Sequence, residues 1–431
     1  MELALVGFAL VLLLALIGIP LAFATLAVGF FGLTYLRGFE AALATSSLWI
    51  VEASSNYGLT IIPLFVLMGA FIHRSGVSRD LFGASYAWLG RFRGGLALSG
   101  ILSCAGFSAA CGSSLATAAT MTRVAIPSMR EFRYSDGFSA GTIAAGGTLG
   151  IMIPPSVPLA IYGLVAGQDI GNMFIAAIFP GLLLVTLFMI AAAVVTTVKP
   201  EVGPRGEALS FRDSIRASLS SWPIVVLFAA VLGGIYSGIA TPTEAAAMGA
   251  FGAWLFGVTR GCFLDAKSLL GVFEETAITT AMIFAIVFSA FILAQFVNLT
   301  GMPYDLRSFV LDSNLGPVGL VLIVCLICVV LGTVFESIGI LLLIIPVFLP
   351  SLGSLGVNLI WFGILITIVI ELGLISPPIG MNVFTVKSVA TEIPLGKIFL
   401  GVLPYLVAML IGLVLILMIP EIATWLPAAT G

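Results

Sequence analysis

The chain has 431 residues, of which 60% are hydrophobic and only 9% are charged. A typical soluble domain carries about 25% charged residues, so this composition excludes a soluble enzyme with one buried core and indicates an all-α polytopic membrane protein. The formal net charge is -3 and the chain has no basic tract, so we expect membrane lipid around it and no nucleic acid as a partner.

The N-terminal part is predicted to be helical. Residues 3–35 are apolar almost throughout and carry a turn signal, Gly-Ile-Pro, at 18–20, which favours two short spanning helices over one very long helix. Residues 40–57 mix polar and apolar positions, as an interfacial helix does, and residues 59–73 predict the next span. We assign residues 1–58 to an N-terminal scaffold.

Two long apolar stretches carry polar residues at their centres. The first stretch, residues 94–126, has Ser108, Cys111, Gly112, Ser113 and Ser114 in the middle, and Pro127 is expected to end it. The second, residues 315–349, has Gly332, Thr333, Glu336, Ser337 and Gly339 in the middle, and Pro350 is expected to end it. Each stretch taken alone could be one tilted helix or a re-entrant hairpin whose tip lies at mid-membrane.

A helix with an interruption is predicted after each of these stretches, at residues 135–166 and 357–391. Residues 146–156 place glycines and then a proline pair where an unbroken span is expected, and residues 371–380 repeat the Leu-Gly-x-x-x-Pro-Pro core. An interior proline costs a helix about 3 kcal/mol, so the first helix should stop near Gly150 and restart near Ser156. Two broken helices in matching halves indicate the binding site of a secondary transporter.

The spacing of these landmarks predicts an internal repeat. Pro127 and Pro154 lie 27 residues apart, as do Pro350 and Pro377. Upstream, Gly-x-x-x-Asp-Leu occurs at 76–81 and again at 301–306. The repeated unit is therefore a span, a surface helix, a hairpin and a broken helix. This repeat favours a hairpin over one tilted helix for both apolar stretches. The predicted domains are a first repeat at 59–170, central scaffold helices at 171–272, a second repeat at 273–392 and a C-terminal scaffold helix at 393–431.

The distribution of arginine predicts the orientation of each copy. Residues 74–133 carry seven arginines, whereas the equivalent stretch 299–356 carries only Arg307. By the positive-inside rule the base of the first hairpin is cytoplasmic and that of the second is not, so the repeats are inverted. The remaining spans, predicted at 172–198, 222–238, 243–258, 273–299 and 398–419, then place both termini on the periplasmic side.

The hairpin tips and helix breaks are predicted to bind sodium. Sodium is a hard cation that prefers oxygen ligands, and a hairpin tip packed against a broken helix offers unpaired carbonyls together with hydroxyl groups. The predicted first sodium site comprises Ser108, Cys111, Gly150, Ile153 and Pro155. The predicted second sodium site comprises Gly332, Thr333, Gly373, Ser376 and Pro378.

Two carboxyl groups are predicted to lie inside the membrane. Charged residues are costly there and are functional candidates, so Glu336 and Glu371 are candidates for ion or substrate contact, although Glu371 could equally hydrogen-bond the broken backbone. Glu244 has a structural interpretation instead, as the third residue of a capping box that begins at Thr241. The candidates for substrate contact are Ser113, Ser114, Ser156, Glu336, Ser337 and Asn382.

No catalytic or cofactor site is predicted. The chain lacks Gly-x-x-x-x-Gly-Lys-Ser/Thr, so it is not expected to hydrolyse ATP itself. Its single histidine, His73, adjoins Arg74 and is interpreted as an interfacial residue. We therefore predict that the protein is not an enzyme and has no cofactor, with sodium ions serving as coupling ions.

Three motifs together resemble a known family. They are Gly-Gly-Thr-Leu-Gly-Ile-Met-Ile-Pro-Pro-Ser (146–156), Gly-Ile-Ala-Thr-Pro-Thr-Glu-Ala-Ala-Ala (238–247) and Glu-Leu-Gly-Leu-Ile-Ser-Pro-Pro-Ile-Gly (371–380). With them the chain resembles, over nearly its whole length, the large membrane subunit of tripartite ATP-independent periplasmic (TRAP) transporters. The first hairpin tip departs from the family pattern, because Cys111 stands where a serine is expected.

The resemblance implies an elevator-type ion transporter fold in the bacterial inner membrane. It also implies coupling to sodium, a small four-helix membrane subunit, a periplasmic substrate-binding protein and a small organic-acid substrate. The predicted function is thus sodium-coupled secondary import of a small organic acid delivered by the binding protein. The alternative is a stand-alone ion-coupled carboxylate transporter that uses no binding protein.

Overall fold

The computed structural model describes residues 2–207, 209–313 and 316–430. In these ranges the regular secondary structure is helical, apart from one isolated β-bridge between Arg93 and Arg205. The predicted all-α polytopic fold class is therefore confirmed. The chain begins with helices α1 (Glu2–Leu16), α2 (Leu21–Arg37) and α3 (Phe39–Ser54), and the predicted turn at 18–20 separates the first two.

The first copy of the repeat contains the four predicted parts. They are the span α4 (Ile61–Arg74), the surface helix α5 (Val77–Leu89), the hairpin α6 (Gly95–Cys111) and α7 (Ser114–Glu131), and the broken helix α8 (Asp136–Met152) and α9 (Val157–Val165). The first stretch is a hairpin and not one tilted helix, because Gly112 and Ser113 interrupt it. The axis of α9 is bent by 41° from that of α8.

The central region consists of α10 (Ile170–Val198), α11 (Phe211–Leu219), α12 (Trp222–Tyr236), α13 (Pro242–Thr259) and α14 (Ala266–Leu299). The sequence analysis did not predict α11, whose Ser214 and Ser218 bond to Ala87 and Trp88 at the end of α5. The predicted capping box at the start of α13 is confirmed: Glu244 accepts a 2.8 Å hydrogen bond from the backbone N–H of Thr241.

The second copy repeats the same order after α14. It comprises the surface helix α15 (Met302–Asp312), the hairpin α16 (Gly316–Gly332) and α17 (Ser337–Ser354), and the broken helix α18 (Leu359–Ile375) and α19 (Met381–Val389). The predicted start of the second hairpin, residue 315, lies outside the described residues, as do the terminal residues 1 and 431. The chain continues with α20 (Leu395–Met418) and a further short helix, α21 (Glu421–Thr430), which was not predicted.

The two surface helices, α5 and α15, begin in the same way, as the internal repeat predicts. Gly76 and Gly301 cap the N-termini of α5 and α15, with φ angles of 75° and 76°. Residues other than glycine rarely adopt this left-handed conformation, which explains why both copies of the Gly-x-x-x-Asp-Leu motif begin with glycine.

The prediction that Pro127 and Pro350 end their helices is wrong. Helix α7 continues to Glu131 and α17 to Ser354, with the prolines inside them. Tertiary contacts hold the last turns in place: Arg130 pairs with Asp136 at 2.7 Å, and the hydroxyl of Ser351 donates to the backbone carbonyl of Pro303 at 3.0 Å.

Five described helices are individually long and apolar enough to cross a membrane, and two bent pairs raise this number to seven. The helices pack in two groups. In one group α14 packs along α2 and α4, and α13 packs along α4 and α12. In the other group α8 packs against α6, α7 and α20, and α10 packs against α20 and α21. Helices α10 and α20, which we assigned to the scaffold, thus have many of their contacts with the hairpins and broken helices.

Glycines explain the close contact between α8 and α20. A Cβ atom on Gly401 would overlap the carbonyl oxygen of Gly137, and one on Gly141 would overlap the backbone of Gly401. Small residues let helix backbones approach in this way. A hydrogen bond of 2.7 Å between the hydroxyl groups of Thr142 and Tyr405 extends the contact.

Candidate functional site

The first hairpin packs against the break in the first broken helix. Ser108 is fully buried near the end of α6, and a Cβ atom on Gly150 would lie 2.7 Å from the Cβ of Ser108. The hydroxyl oxygen of Ser108 is buried and has no hydrogen-bond partner among the described residues. Buried hydroxyl groups nearly always have a partner, so this oxygen is a candidate ligand for a bound ion.

The break itself is organised by a serine cap. Helix α8 ends at Met152, and Ser156 caps α9 by accepting a hydrogen bond of 3.5 Å from the backbone N–H of Leu159. Ile153 and Pro155 therefore lie in non-helical backbone between the two helices, as predicted. The peptide bond between Pro154 and Pro155 is cis, as is that between Pro377 and Pro378.

The second hairpin packs on its own broken helix in a corresponding way. A Cβ atom on Gly332 would lie 2.9 Å from the Cα of Gly373, so the two backbones are in direct contact. The backbone N–H of Gly380 donates to the carbonyl of Thr333 at 3.0 Å. The hydroxyl of Ser376 donates to the carbonyl of Leu372 at 2.6 Å, which joins the residues on either side of the helix end.

One carboxyl group connects both hairpins. Glu371, which is 1% exposed, accepts a 2.8 Å hydrogen bond at Oε2 from the hydroxyl of Ser114 and a 2.9 Å bond at Oε1 from the hydroxyl of Ser337. The two serines are the first residues of α7 and α17. Thus Glu371 bonds to the hairpin tips, and these serine hydroxyls are partners that the sequence analysis did not name.

A cavity of about 460 Å³ lies between the two hairpin tips. The tips, the start of α9, and helices α4 and α14 contribute its walls. Glu336 caps α17 without a side-chain cap hydrogen bond, and it is exposed. Five of the predicted site residues line the cavity, namely Cys111, Ser113, Ser114, Glu336 and Ser337.

Three helices direct their N-termini at this cavity. Residues of the first turn of α7, of α9 and of α17 all line it. A helix N-terminus presents unpaired N–H groups and a partial positive charge, which favour a bound anion. The cavity therefore offers N–H and hydroxyl donors to a small acid, although the chain places no arginine or lysine among the described lining residues.

Two of the predicted substrate candidates lie elsewhere. Ser156 is buried as the cap of α9 and does not line the cavity. Asn382 is fully buried between α19 and α8, where its amide nitrogen donates to the carbonyl of Ala144 at 3.3 Å. Its amide oxygen is buried without a partner among the described residues.

Helices α4 and α14 add groups to the cavity that the sequence analysis did not assign to the site. Glu275 of α14 lines the cavity and pairs with Arg74 at 2.8 Å. His73 also lines it, with Nδ1 at 3.0 Å from the hydroxyl of Thr120 on the first hairpin. In the sequence, the position of His73 next to an arginine indicated only a residue at the membrane boundary. The pair of glutamates at 274–275, within an apolar helix, could have identified Glu275 as a candidate.

Comparisons with known proteins agree with this architecture. Residues 6–422 match the family model for the DctM component of the tripartite ATP-independent periplasmic transporter. The large permease protein DctM of a C4-dicarboxylate TRAP transporter from Pseudomonas aeruginosa is 34% identical over 93% of this chain and 93% of its own length. The large permease SiaM of a sialic acid TRAP transporter from Vibrio cholerae is 30% identical over 95% of both chains.

The structural comparison shows the fold alone. The crystal structure of the Alcanivorax borkumensis YdaH transporter superimposes with a TM-score of 0.61 over 91% of this chain and 89% of that one, at 15% sequence identity.

Proposed function

This chain belongs to the family of the DctM component of TRAP transporters, a multi-pass inner-membrane permease of a secondary transport system, and we propose that it imports a small organic acid together with sodium ions. The observation that carries the proposal is the cavity between the hairpin tips. The hydroxyls of Ser114 and Ser337 already donate to Glu371, so the groups that remain for a ligand are the three helix N-termini and the hydroxyl of Ser113. These groups donate hydrogen bonds, as a carboxylate requires.

The substrate class follows from the cavity and the relatives. The two relatives described above are named for C4-dicarboxylates and for sialic acid, all of which are carboxylates. Glu336 adds an exposed acceptor that would repel a second carboxylate and would bond a hydroxyl or amino group. We therefore expect an acid that also carries hydroxyl groups to be favoured over a plain dicarboxylate.

Sodium is proposed as the coupled ion at the two helix breaks. Ser108 supplies an unpartnered buried hydroxyl beside Gly150, and the non-helical backbone at Ile153 and Pro155 supplies carbonyls. In the second copy the corresponding atoms come from two places. One is the break that follows Gly373, with Ser376 and Pro378, and the other is the hairpin tip at Gly332 and Thr333. Oxygen ligands of this kind suit a hard cation.

The cycle that we propose is of the elevator type. The hairpins and broken helices of the two repeats, packed with α10 and α20, form the moving unit, and the group built from α2, α4, α13 and α14 forms the scaffold. The cavity lies at their interface, since its walls come from both groups. A small four-helix subunit and a periplasmic substrate-binding protein complete the proposed system, and both termini of the chain face the periplasm.

Sodium binding is tested first on the purified protein alone. Anything that binds only the folded state raises its stability, so the unfolding temperature should rise with sodium chloride and not with choline chloride. The variant Ser108→Ala should reduce this rise, whereas Thr186→Ala, which removes an exposed hydroxyl from α10, should leave it unchanged. Equal stabilisation by the two salts would overturn the sodium assignment.

Transport is tested in vesicles that contain the large subunit, a small membrane subunit and a periplasmic binding protein. Radiolabelled sialic acid and succinate serve as probes of a hydroxylated acid and a plain dicarboxylate. Uptake should require an inward sodium gradient and no ATP. Uptake by the large subunit alone, without co-purification of a small subunit, would support the alternative of a stand-alone carboxylate transporter.

A further inference from the structure

The hydrogen bonds of Glu371 connect parts of the molecule that are remote in sequence. Ser114 lies in the first copy and Ser337 in the second, and each is the first residue of the helix that leaves its hairpin tip. Both donate to the same carboxyl group, at 2.8 and 2.9 Å. Because both serines also line the cavity, this carboxyl group bridges its two facing tips.

The two copies contribute unequally to this connection. Ser114 and Ser337 are 223 residues apart, the same offset as Pro154 and Pro377. The residue of the first copy that corresponds to Glu371 is Thr148. Its hydroxyl donates within its own helix, to the carbonyl of Ala145 at 2.6 Å. One copy alone therefore supplies the acceptor for both serines.

We infer that Glu371 is a positioning residue that fixes the two hairpin tips relative to each other, so that they enclose the substrate as one unit. The inference rests on the proposed function for its consequence in transport, but the connection itself is a property of the fold. Each oxygen of Glu371 accepts one of the two bonds, and the N-termini of α7 and α17 favour a carboxylate beside them. Loss of the carboxyl group removes the two hydrogen bonds that join the tips.

Two substitutions separate hydrogen bonding from charge. Glu371→Ala removes both acceptors and should raise the KM for the transported probe about tenfold, with a smaller change in maximal rate. Glu371→Gln can accept from one serine through its oxygen and donate to the other through its nitrogen, so its KM should stay within about threefold of wild type. Thr148→Val, at the corresponding position of the first copy, is the matched control and should leave KM unchanged.

A labelling experiment tests the connection without transport. Cys111 lies at the first tip and lines the cavity, so it reports on that tip once Cys104, Cys262, Cys325 and Cys328 are replaced by alanine. In purified protein, Glu371→Ala should speed the reaction of Cys111 with a maleimide about fivefold, since a freed tip exposes the thiol more often. Glu371→Gln and Thr148→Val should react at the wild-type rate. If Glu371→Ala does not fold, Ser114→Ala replaces it and should speed labelling in the same direction.

The outcomes distinguish this inference from the proposed function. Absence of sodium-dependent uptake in wild type would refute the proposed function and leave the labelling result valid. Labelling of Glu371→Ala at the wild-type rate would overturn the positioning role. A Glu371→Gln variant as impaired in KM as Glu371→Ala would also overturn it, because the charge and not the hydrogen bonding would then be required.

Discussion

Gly332 and Gly373 meet backbone to backbone, so that the second hairpin and the second broken helix have no side chains between them at this point. A Cβ atom on Gly373 would lie 2.6 Å from the Cα of Gly332 and 2.8 Å from the carbonyl oxygen of Val329. At the corresponding place in the first copy, Gly150 faces the side chain of Ser108. Each contact joins two residues of one of the two proposed ion sites.

Alanine at these glycines should separate the hairpins from the breaks. Because Gly373 faces backbone, which cannot rotate away, Gly373→Ala should lower sodium-dependent uptake about tenfold and stability by about 1–3 kcal/mol. Gly150→Ala should have a smaller effect, since it meets a serine side chain. Gly353→Ala, in α17, is the control because a methyl group there would have no atom of another described residue within 4 Å. Equal uptake in all three variants at matched protein levels would contradict the assignment.

The proline pairs should be required for transport. Replacing Pro154 and Pro155 together by alanine lets helix α8 run on, so that the carbonyls from Gly150 to Ile153 bond within the helix and leave the cation. We expect sodium-dependent uptake to fall about tenfold, which corresponds to about 1.4 kcal/mol, in protein that still inserts normally. The double substitution at Pro377 and Pro378 should act in the same way on the second site.

The control for the proline substitutions is Pro20→Ala. Pro20 caps α2 outside both repeats, and its loss should affect uptake only mildly. Wild-type uptake by both double variants would show that the breaks are packing features and that the ions bind elsewhere.

The inverted orientation of the repeats is tested by labelling from each side of the membrane. Ser135 and Ser313 are exposed residues at the bases of the first and second copies. Single cysteines at these positions in a cysteine-free background should react from opposite sides, Ser135→Cys from the cytoplasm and Ser313→Cys from the periplasm. Reaction of both with an impermeant reagent from the same side would refute the inversion.

The contact between α8 and α20 should be important for stability. A methyl group at position 401 would overlap the carbonyl of Gly137, so Gly401→Ala must push the helices apart and should destabilise the protein by about 1–3 kcal/mol. Gly396→Ala lies in the same helix, with no described neighbouring atom within 4 Å of its added methyl group, and should be nearly neutral. Thermal unfolding of the two variants in detergent measures the difference, and equal unfolding temperatures would show that the helices separate easily.

An ion-pair network outside the spans should give stability a pH dependence. The pKa of Glu392 lies below its ordinary value of 4.5, because the carboxylate accepts hydrogen bonds from its own backbone N–H and from Arg130. A lowered pKa in the folded state stabilises the protein above pH 4.5, and the contribution is lost as the pH falls through the folded value. The unfolding-temperature difference between wild type and Glu392→Gln should therefore be present at pH 7 and shrink on acidification. A difference independent of pH would refute the linkage.

The helical elements and their order could be predicted from local features of the sequence. Glycine and proline act on the local backbone. Their positions in the sequence were therefore enough to predict the two helix breaks, after Gly150 and Gly373, and the turn at 18–20. The constant spacing of the prolines indicated the repeat, and the repeat identified the hairpins. Local rules failed at Pro127 and Pro350, where buried side chains and the bonds of Arg130 and Ser351 hold the helix beyond the proline.

The contacts between distant residues depended on the packing of whole helices. The sequence marked Glu371 as a costly buried carboxyl group, but only the packing of two hairpins from different copies brings Ser114 and Ser337 to its two oxygens. The same packing placed Glu275 in the cavity and Asn382 outside it, and it joined α20 to α8 through Gly401. These contacts link residues that are far apart in the chain, and their geometry depends on how the helices pack in three dimensions, which the spacing of residues along one helix does not specify.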